Sequence, residues 1–173
     1  ALDLDTLQMD VDNAYLNAFL HEEIYMKQPA GFDHGDPRQV LRLLKAIYGL
    51  KQSGREWNIV MHKFLIWLGY KQSVIDRCLY FKTHRDGTKM FVGVYVDDLA
   101  AVGSRKALDW FAEKVLARFK AKTLGEISRI LGMQVERDRE NQTLVIHQED
   151  YVNEILERFE LAKSETAPTP MNR

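Results

Sequence analysis

The sequence predicts an α+β fold, in which an antiparallel β-sheet carries helices on one face. Several stretches of strand-forming residues follow one another through short turns, and Asp86-Gly87 is the clearest hairpin signal. Longer stretches with apolar residues at helical spacing lie between these hairpins. Strands joined by tight turns pair antiparallel, so helices that alternate with hairpins are expected to pack on the resulting sheet.

The N-terminal part of the chain contains two predicted strands, a short helix and a loop. Polar and apolar residues alternate from Leu4 to Val11, which is typical of a half-buried strand. The next apolar residues recur at helical spacing and predict a short helix: Ala14, Leu16, Phe19 and Leu20. Residues 27–40 contain prolines and glycines that predict a loop, and a strand is expected over residues 40–44.

The middle of the chain predicts an amphipathic helix followed by a hairpin. Apolar residues at helical spacing cover residues 54–68, and a glycine ends the pattern. Strands are predicted over residues 78–82 and 89–96, on either side of the turn sequence HRDGT.

The C-terminal part predicts two further helices around a second hairpin. Apolar spacing indicates a helix over residues 106–119 and another over residues 149–162. Between them, residues 127–148 predict a hairpin that turns at Asn141, and residues 164–173 predict a frayed tail.

The composition is that of an ordinary globular protein of 173 residues, large enough for one domain and a small appendage. No apolar run approaches the roughly 20 residues that span a bilayer, so no membrane partner is expected. A single cysteine, Cys78, cannot form a disulfide framework, and no secretory signal is evident at the start. We therefore expect an intracellular, reducing location.

The net charge of −1 hides two segments of opposite sign. Residues 1–26 hold six acidic and no basic residues, whereas residues 27–71 hold eight basic and three acidic residues. An acidic cation site beside a phosphate-binding surface explains this asymmetry, and solvated faces of opposite sign explain it equally.

Two adjacent aspartates, Asp97 and Asp98, occupy a predicted turn before a return strand that reaches Val102. Ionised carboxylates at the bend of a half-buried hairpin repel each other and lose hydration unless cations compensate. Aspartate also bonds backbone amides in turns, so a structural role is the alternative. Asp10 favours the functional interpretation because it lies in an alternating apolar strand.

If the strands that carry these aspartates are neighbours, Asp10, Asp97 and Asp98 form a cluster of hard oxygen ligands that suits Mg²⁺. Two such ions can hold the reacting oxygens of a phosphoryl transfer. The five histidines are scattered at spacings that match no zinc site.

Five segments carry a resemblance to a known family: QMDVDNAYLNAFLHEEIYMKQPAGF, LLKAIYGLKQSGREW, VYVDDLAAVG, LGEISRILGMQVERD and HQEDYVNEILERF. In order and separation they resemble the reverse transcriptase of copia-type LTR retrotransposons over nearly the whole chain. The resemblance implies a polymerase-type palm over residues 1–145, with its antiparallel sheet backed by helices. It also implies a partial fingers insertion around residues 24–46 and the start of a thumb over residues 146–173.

The resemblance implies that Asp10, Asp97 and Asp98 are catalytic metal ligands, with Asp98 in a supporting role. Mg²⁺ is the implied cofactor, and Mn²⁺ is the alternative ion. Nucleotide contacts are implied for Val11, Tyr15, Tyr48, Gly49 and Lys122. Tyr15 falls where the family keeps an aromatic ring under the incoming sugar, which excludes ribonucleotides, although a core helix residue remains the alternative.

Contacts with primer and template are implied for Lys51, Arg55, Tyr95, Gly132 and Met133. Tyr95 lies against the primer terminus in this comparison, and the last two belong to a hairpin that grips the primer strand. Lys122 stands where such polymerases keep a general acid for pyrophosphate, and a solvated surface lysine is equally expected there. The family usually has Ala-Pro where this chain has Ser53-Gly54.

Family members carry a further fingers segment before the first of these blocks and a thumb and RNase H domain after the last. The chain is therefore expected to be poor at capturing nucleotide by itself. The implied partners are an RNA or DNA template with primer, a dNTP and the rest of a retrotransposon polyprotein. Self-association through an exposed palm surface and a place in a cytoplasmic virus-like particle are also expected.

Three functions share this fold. The first is an RNA-directed DNA polymerase that transfers a nucleotide from a dNTP to a primer 3′-hydroxyl. The second is a catalytically inactive fragment that binds nucleic acid or protein through the basic residues 38–71. The third is a structural α+β domain whose aspartates cap turns. Metal binding and primer extension separate the first from the others.

Overall fold

The computed structural model describes residues 3–32, 35–36, 38–161 and 164. The chain divides into two compact units, Ala1–Glu126 and Ile127–Arg173. Both units mix helices with antiparallel strands, which confirms the α+β class. The division into palm, fingers and thumb remains a prediction.

The described residues of the first unit form eight strands, two α-helices and a short 3₁₀ helix. In chain order these are β1 (Asp5–Val11), the 3₁₀ helix (Ala14–Asn17), β2 (Phe19–Lys27), β3 (Val40–Lys45), α1 (Ser53–Trp67), β4 (Lys71–Gln72), β5 (Leu79–Thr83), β6 (Lys89–Tyr95), β7 (Asp98–Gly103), α2 (Arg105–Arg118) and β8 (Ala121–Gly125). Six of the strands form one sheet in the order β4-β5-β6-β7-β1-β8, and β2 pairs with β3. The strand nearest the N-terminus thus lies between two strands that come much later in the chain.

One face of the six-stranded sheet is buried under the helices. Along β1, Leu7, Met9 and Val11 are buried, whereas the residues between them are partly exposed. Trp57 of α1 and Phe111 of α2 belong to the same buried cluster as these strand residues. Because side chains alternate across a strand, the other face of the sheet remains open. This arrangement confirms the predicted sheet with helices on one face.

Most of the predicted elements of the first unit are present, and three of its described strands, β2, β4 and β8, were not anticipated. The predicted helix through Phe19 and Leu20 is wrong, because the 3₁₀ helix ends at Asn17 and β2 begins at Phe19. Most of β2 is exposed on both faces, so its sequence carries no apolar alternation. The edge strand β8 is also largely exposed, and no element was predicted over its residues.

The second unit contains a small sheet and one helix. Its strands are β9 (Arg129–Ile130), β10 (Met133–Asp138) and β11 (Thr143–His147), which pair in the order β11-β10-β9, and its helix is α3 (Glu149–Arg158). The hairpin over residues 127–148 is therefore confirmed. The predicted tail, apart from Ser164, and part of the predicted loop over residues 27–40 lie outside the described residues.

Among the described residues, none of the helices combines the length and apolar character that a bilayer crossing requires.

The turn between β6 and β7 is held in an unusual backbone conformation. Val96 has a φ of 53°, a region that a β-branched residue rarely adopts. The indole Nε1 of Trp57 donates a hydrogen bond of 2.7 Å to the Val96 carbonyl, and the Val11 amide donates one of 2.9 Å to the Asp97 carbonyl. These two bonds tie the turn to α1 and to β1.

Replacing Trp57 by phenylalanine should destabilise the protein, because the Val96 carbonyl loses its donor while most of the ring packing is kept. We expect the free energy of unfolding to fall by about 1–3 kcal/mol. Urea denaturation followed by circular dichroism measures this change. The matched control is Trp67→Phe in the same helix, whose side chain is 75% exposed and should cost less than about 0.5 kcal/mol. Equal losses in the two variants would show that the bond to Val96 contributes nothing.

Candidate active site

Two of the three predicted acids lie side by side on the open face of the sheet. Asp10 of β1 and Asp98 of β7 are directly paired in the antiparallel register. Both alternate with buried residues, Met9 on one strand and Leu99 on the other, so both carboxylates point to the open face. Side chains in such a pair have Cβ atoms about 4.5–5.5 Å apart. The strand pairing thus brings together acids that are distant in the sequence.

The third acid, Asp97, lies in the turn beside this pair. Its backbone is tied to β1 by the hydrogen bond from the Val11 amide. One of its carboxylate oxygens, Oδ2, accepts a hydrogen bond of 3.2 Å from the hydroxyl of Tyr48. Within the described ranges, no three His, Cys, Asp or Glu side chains are arranged so that they could hold a metal ion together. The structure therefore gives a close pair of acids with a third at its border.

Lys122 supplies a positive charge next to the acid pair. It is the neighbour of Asp10 on β8, and its Nζ atom lies 3.3 Å from Oδ1 of Asp10. The lysine side chain is 62% exposed and the aspartate 29%, so solvent weakens this ion pair. Tyr95, Asp98, Asp10 and Lys122 form one row of directly paired residues across β6, β7, β1 and β8.

An aromatic pair borders the acids. The rings of Tyr15 and Tyr48 have centroids 4.3 Å apart and planes inclined by 36°. Tyr15 is half-buried and Tyr48 exposed. Partial desolvation and then the negative charge of Asp97 raise the pKa of the Tyr48 phenol above its usual value. The phenol is therefore a hydrogen-bond donor to Asp97 throughout the neutral pH range.

The helix that supports Tyr15 begins with the two residues that depart from the family pattern. Ser53 is fully buried, and its hydroxyl donates a hydrogen bond of 2.5 Å to the carbonyl of Ile47. A side chain at Gly54 would place its Cβ 3.7 Å from the Tyr15 hydroxyl, an ordinary contact distance. The first turn of α1 is thus anchored by the serine side chain.

The other residues with implied nucleotide contacts differ in accessibility. Gly49 lies in an exposed turn with a φ of 100°, a conformation that favours glycine, and nothing lies within 4 Å of its added Cβ. The Val11 side chain is 1% exposed, so only its backbone faces the site, and its amide already bonds Asp97.

The residues with implied primer and template contacts lie in both units. Lys51, Arg55 and Tyr95 are exposed in the first unit, and Tyr95 is paired with Asp98. Gly132 and Met133 belong to the second unit, where the turn between β9 and β10 leads into the first residue of β10.

Sequence reasoning did not single out two groups that the structure places beside the site. Trp57 was assigned only to the helix core, yet its indole bonds the turn that carries Asp97. The Nζ atom of Lys120 lies 3.5 Å from Oδ2 of Asp12. These two residues form a second acid–lysine pair, two residues along the chain from the pair at Asp10. No motif marks either group, because both depend on strand and helix packing.

The comparisons with known proteins show the family to which the chain belongs. A family model described as reverse transcriptase (RNA-dependent DNA polymerase) matches residues 4–173. The chain is 38% identical over 173 residues to the retrovirus-related Pol polyprotein from transposon TNT 1-94 of Nicotiana tabacum. It is 36% identical over 166 residues to the corresponding polyprotein from transposon RE2 of Arabidopsis thaliana. A putative transposon Ty5-1 protein of Saccharomyces cerevisiae is 32% identical over 165 residues.

These matches cover almost all of the chain and only parts of the relatives. They include 99%, 95% and 94% of the chain but 13%, 11% and 53% of the tobacco, Arabidopsis and yeast proteins. The resemblance to copia-type elements is confirmed by these relatives. The chain belongs to the reverse transcriptase (RNA-dependent DNA polymerase) family.

Proposed function

We propose that the chain is the palm of an RNA-directed DNA polymerase that joins a dNTP to the 3′-hydroxyl of a primer. The observation that carries this proposal is the direct pairing of Asp10 with Asp98 on the open face of the sheet, with Asp97 in the adjoining turn. Two partly exposed carboxylates in direct register repel each other and destabilise the strand pair, which favours a functional role over a purely structural one.

The chemistry of the three acidic side chains suits a hard divalent cation. Asp10, Asp97 and Asp98 offer carboxylate oxygens, which Mg²⁺ and Mn²⁺ prefer. When bound, such ions supply activation of the attacking hydroxyl and neutralisation of charge on the departing pyrophosphate. The Tyr48 hydroxyl competes for one Asp97 oxygen and Lys122 for one Asp10 oxygen, so both contacts must loosen when a cation binds.

The residues around the acids have positioning roles in this proposal. The Tyr15 and Tyr48 rings form a shelf on which the sugar and base of a dNTP rest. Lys122 is close enough to the acids to pair with a phosphate oxygen and to donate a proton to pyrophosphate. Lys51 and Arg55 are exposed cations that suit a nucleic-acid backbone.

The setting of the chain is also a proposal. Its relatives are named as Pol polyproteins of transposons, which supports a chain that works as part of a longer polyprotein in a cytoplasmic particle. Template, primer and dNTP are then its partners. Several large apolar side chains are exposed, including Phe19 and Leu44 on the β2–β3 pair, which supports self-association when no other segment covers them.

Replacing Asp10 by asparagine should remove metal binding and primer extension together, because one ligand charge is lost at the acid pair. We expect extension to fall at least about 100-fold. A primer-extension assay with Mg²⁺ or Mn²⁺ measures the rate, and Mn²⁺-induced broadening of NMR signals near Asp98 measures binding independently of activity. Asp97→Asn should behave in the same way.

The matched control is Asp12→Asn. Asp12 lies two residues after Asp10 and, like it, pairs with a lysine, Lys120. This variant should retain metal binding and extension. If Asp10→Asn binds Mn²⁺ as wild type does, the polymerase site is refuted. Binding of primer-template without any metal-dependent extension would favour a nucleic-acid-binding module instead.

Replacing Lys122 by methionine should strengthen metal binding and slow extension. The ammonium group pairs with Asp10, so its removal leaves that acid free to attract a cation. Since the lysine is well exposed, we expect Mn²⁺ affinity to rise only about two- to fivefold. Isothermal titration calorimetry measures this, with Lys120→Met as the control because that lysine pairs with Asp12. An unchanged extension rate would show that Lys122 neither binds the phosphate nor donates a proton to pyrophosphate.

Replacing Tyr15 by alanine should weaken discrimination against ribonucleotides, because the ring no longer occupies the space under the sugar. We expect the preference for dNTP over rNTP to fall about tenfold or more. Competitive incorporation measures the ratio. Tyr15→Phe keeps the ring beside Tyr48 and should keep the preference. Loss of stability with unchanged preference would identify Tyr15 as a packing residue only.

A further inference from the structure

A basic cavity lies at the end of the sheet opposite the acids. It has a volume of about 690 Å³ and lies between the β5–β6 turn and the start of α2. The acids lie where β6 ends and β7 begins, whereas the cavity lies where β6 begins and β7 ends. At about 3.3 Å per residue, the length of β6 separates the two by roughly 20 Å. The cavity is therefore distinct from the candidate active site.

Cationic side chains dominate the cavity. Lys82, Arg85 and Lys106 line it together with the imidazole of His84. Asp86 is the one acid in the lining, and its Oδ1 atom accepts hydrogen bonds from the amide and hydroxyl of Thr88, at 3.0 and 2.7 Å, within its own turn. Arg85 and Lys106 have no carboxylate partner among the residues that the structure describes. The positive charge of the cavity is therefore largely unpaired.

The floor of the cavity is formed by side chains that contact one another. The Lys82 ammonium donates a hydrogen bond of 2.7 Å to the Leu68 carbonyl and lies 4.2 Å from the centre of the Trp110 ring. The His84 ring packs edge-on against the same indole, with centroids 6.1 Å apart. The Nε2 atom of His84 is buried and has no hydrogen-bond partner in the described part of the chain. Lys82 and His84 are therefore both held against Trp110 at the floor of the cavity.

The start of α2 adds positive potential to these side chains. Ser104, which lines the cavity, is the N-cap residue of this 14-residue helix, and its side chain makes no capping hydrogen bond. The first turn holds no acidic residue but instead Arg105 and Lys106. Cations at the positive end of a helix dipole are unfavourable, and an anion there is favourable. Arg105 is paired with Asp109, with 3.1 Å between Nε and Oδ1, so Lys106 is the cation of this turn that a bound anion would compensate.

We propose that this cavity binds a phosphate-bearing anion through Arg85, Lys106 and the first turn of α2. The ligand must present at least two negative charges, one near Arg85 and one near Lys106. A polyphosphate meets this requirement, and so do successive phosphates of a nucleic-acid backbone. Arg85 suits a phosphate because its guanidinium can form two parallel hydrogen bonds with it. This site does not depend on the polymerase proposal.

Titration of the whole chain with pyrophosphate tests the proposal. The double variant Arg85→Gln/Lys106→Gln removes two lining cations, and its matched control, Arg77→Gln/Lys89→Gln, removes two exposed cations of the same unit that neither line the cavity nor belong to α2. We expect pyrophosphate affinity to fall about tenfold or more in the cavity variant and less than about twofold in the control. Isothermal titration calorimetry measures the affinity. Divalent cations are left out so that pyrophosphate cannot bind through a metal ion at Asp10, Asp97 and Asp98.

A second measurement separates ligand binding from a change in folding. Without anion, the melting temperature of the cavity variant should equal or exceed that of wild type, because a cation has been removed from the first turn of α2. With saturating pyrophosphate, wild type should gain more than the cavity variant. Equal loss of affinity in the two double variants, or no pyrophosphate binding by wild type at millimolar concentration, would overturn the proposal.

Single-stranded DNA distinguishes the two sources of phosphate. If the cavity variant also binds an oligonucleotide more weakly, with a reduced dependence of affinity on salt concentration, the cavity takes part of a nucleic-acid backbone. If only pyrophosphate binding changes, the ligand is a free polyphosphate. Either result supports an anion site at this end of the sheet.

Discussion

The antiparallel pairing of β1 with β7 is the constraint on which the candidate site depends. It places Asp10 opposite Asp98, and a shift of one residue would turn one of the two carboxylates into the helix-covered core. The buried residues Leu7, Met9 and Val11 fix this register, because they must face α1 and α2. Hydrophobic burial on one face therefore sets the electrostatics of the other.

The three neighbouring acids are costly without compensation, and the fold compensates two of them in part. Lys122 approaches Asp10 from β8, and Tyr48 donates to Asp97 from the segment before α1. Both groups are exposed enough for their contacts to be exchanged. The turn itself is less free, since the bonds from Trp57 and Val11 hold Val96 in its strained conformation. The site thus combines a fixed backbone with replaceable side-chain partners.

The sequence predicts those parts of the fold in which burial produces a pattern. The helix through Trp57 and Phe64 and the alternating strand before Val11 bury one side each, so their periodicities are visible. By contrast, β2 and β8 are held by backbone pairing and bury little, and neither carries such a pattern. The predicted helix was extended wrongly to Phe19 because β2, which begins there, is largely exposed and has no apolar alternation that marks it as a strand.

The candidate site was predictable in its residue types but not in its connections. Aspartates within an apolar strand or at the bend of an apolar hairpin indicate a function for Asp10, Asp97 and Asp98, because burial makes an unpaired charge costly. The ion pair with Lys122 depends on β8 reaching β1 across the sheet, and nothing local in the sequence predicts that long-range pairing. Likewise, the role of Trp57 follows from where α1 crosses the turn, not from its helical spacing.

The two ends of β6 and β7 differ in charge, and this difference organises the first unit more than its net charge does. The turn at Asp97 gathers acids, whereas the opposite end joins Arg85 and Lys106 to the positive end of a helix dipole. The low net charge of the whole chain conceals this separation, because acids and bases cancel in the sum. Fields of this kind act within about one Debye length, roughly 8–10 Å at moderate salt. Since the two ends are farther apart than that, each presents its own charge to a ligand, and the two proposed sites are electrostatically independent of each other.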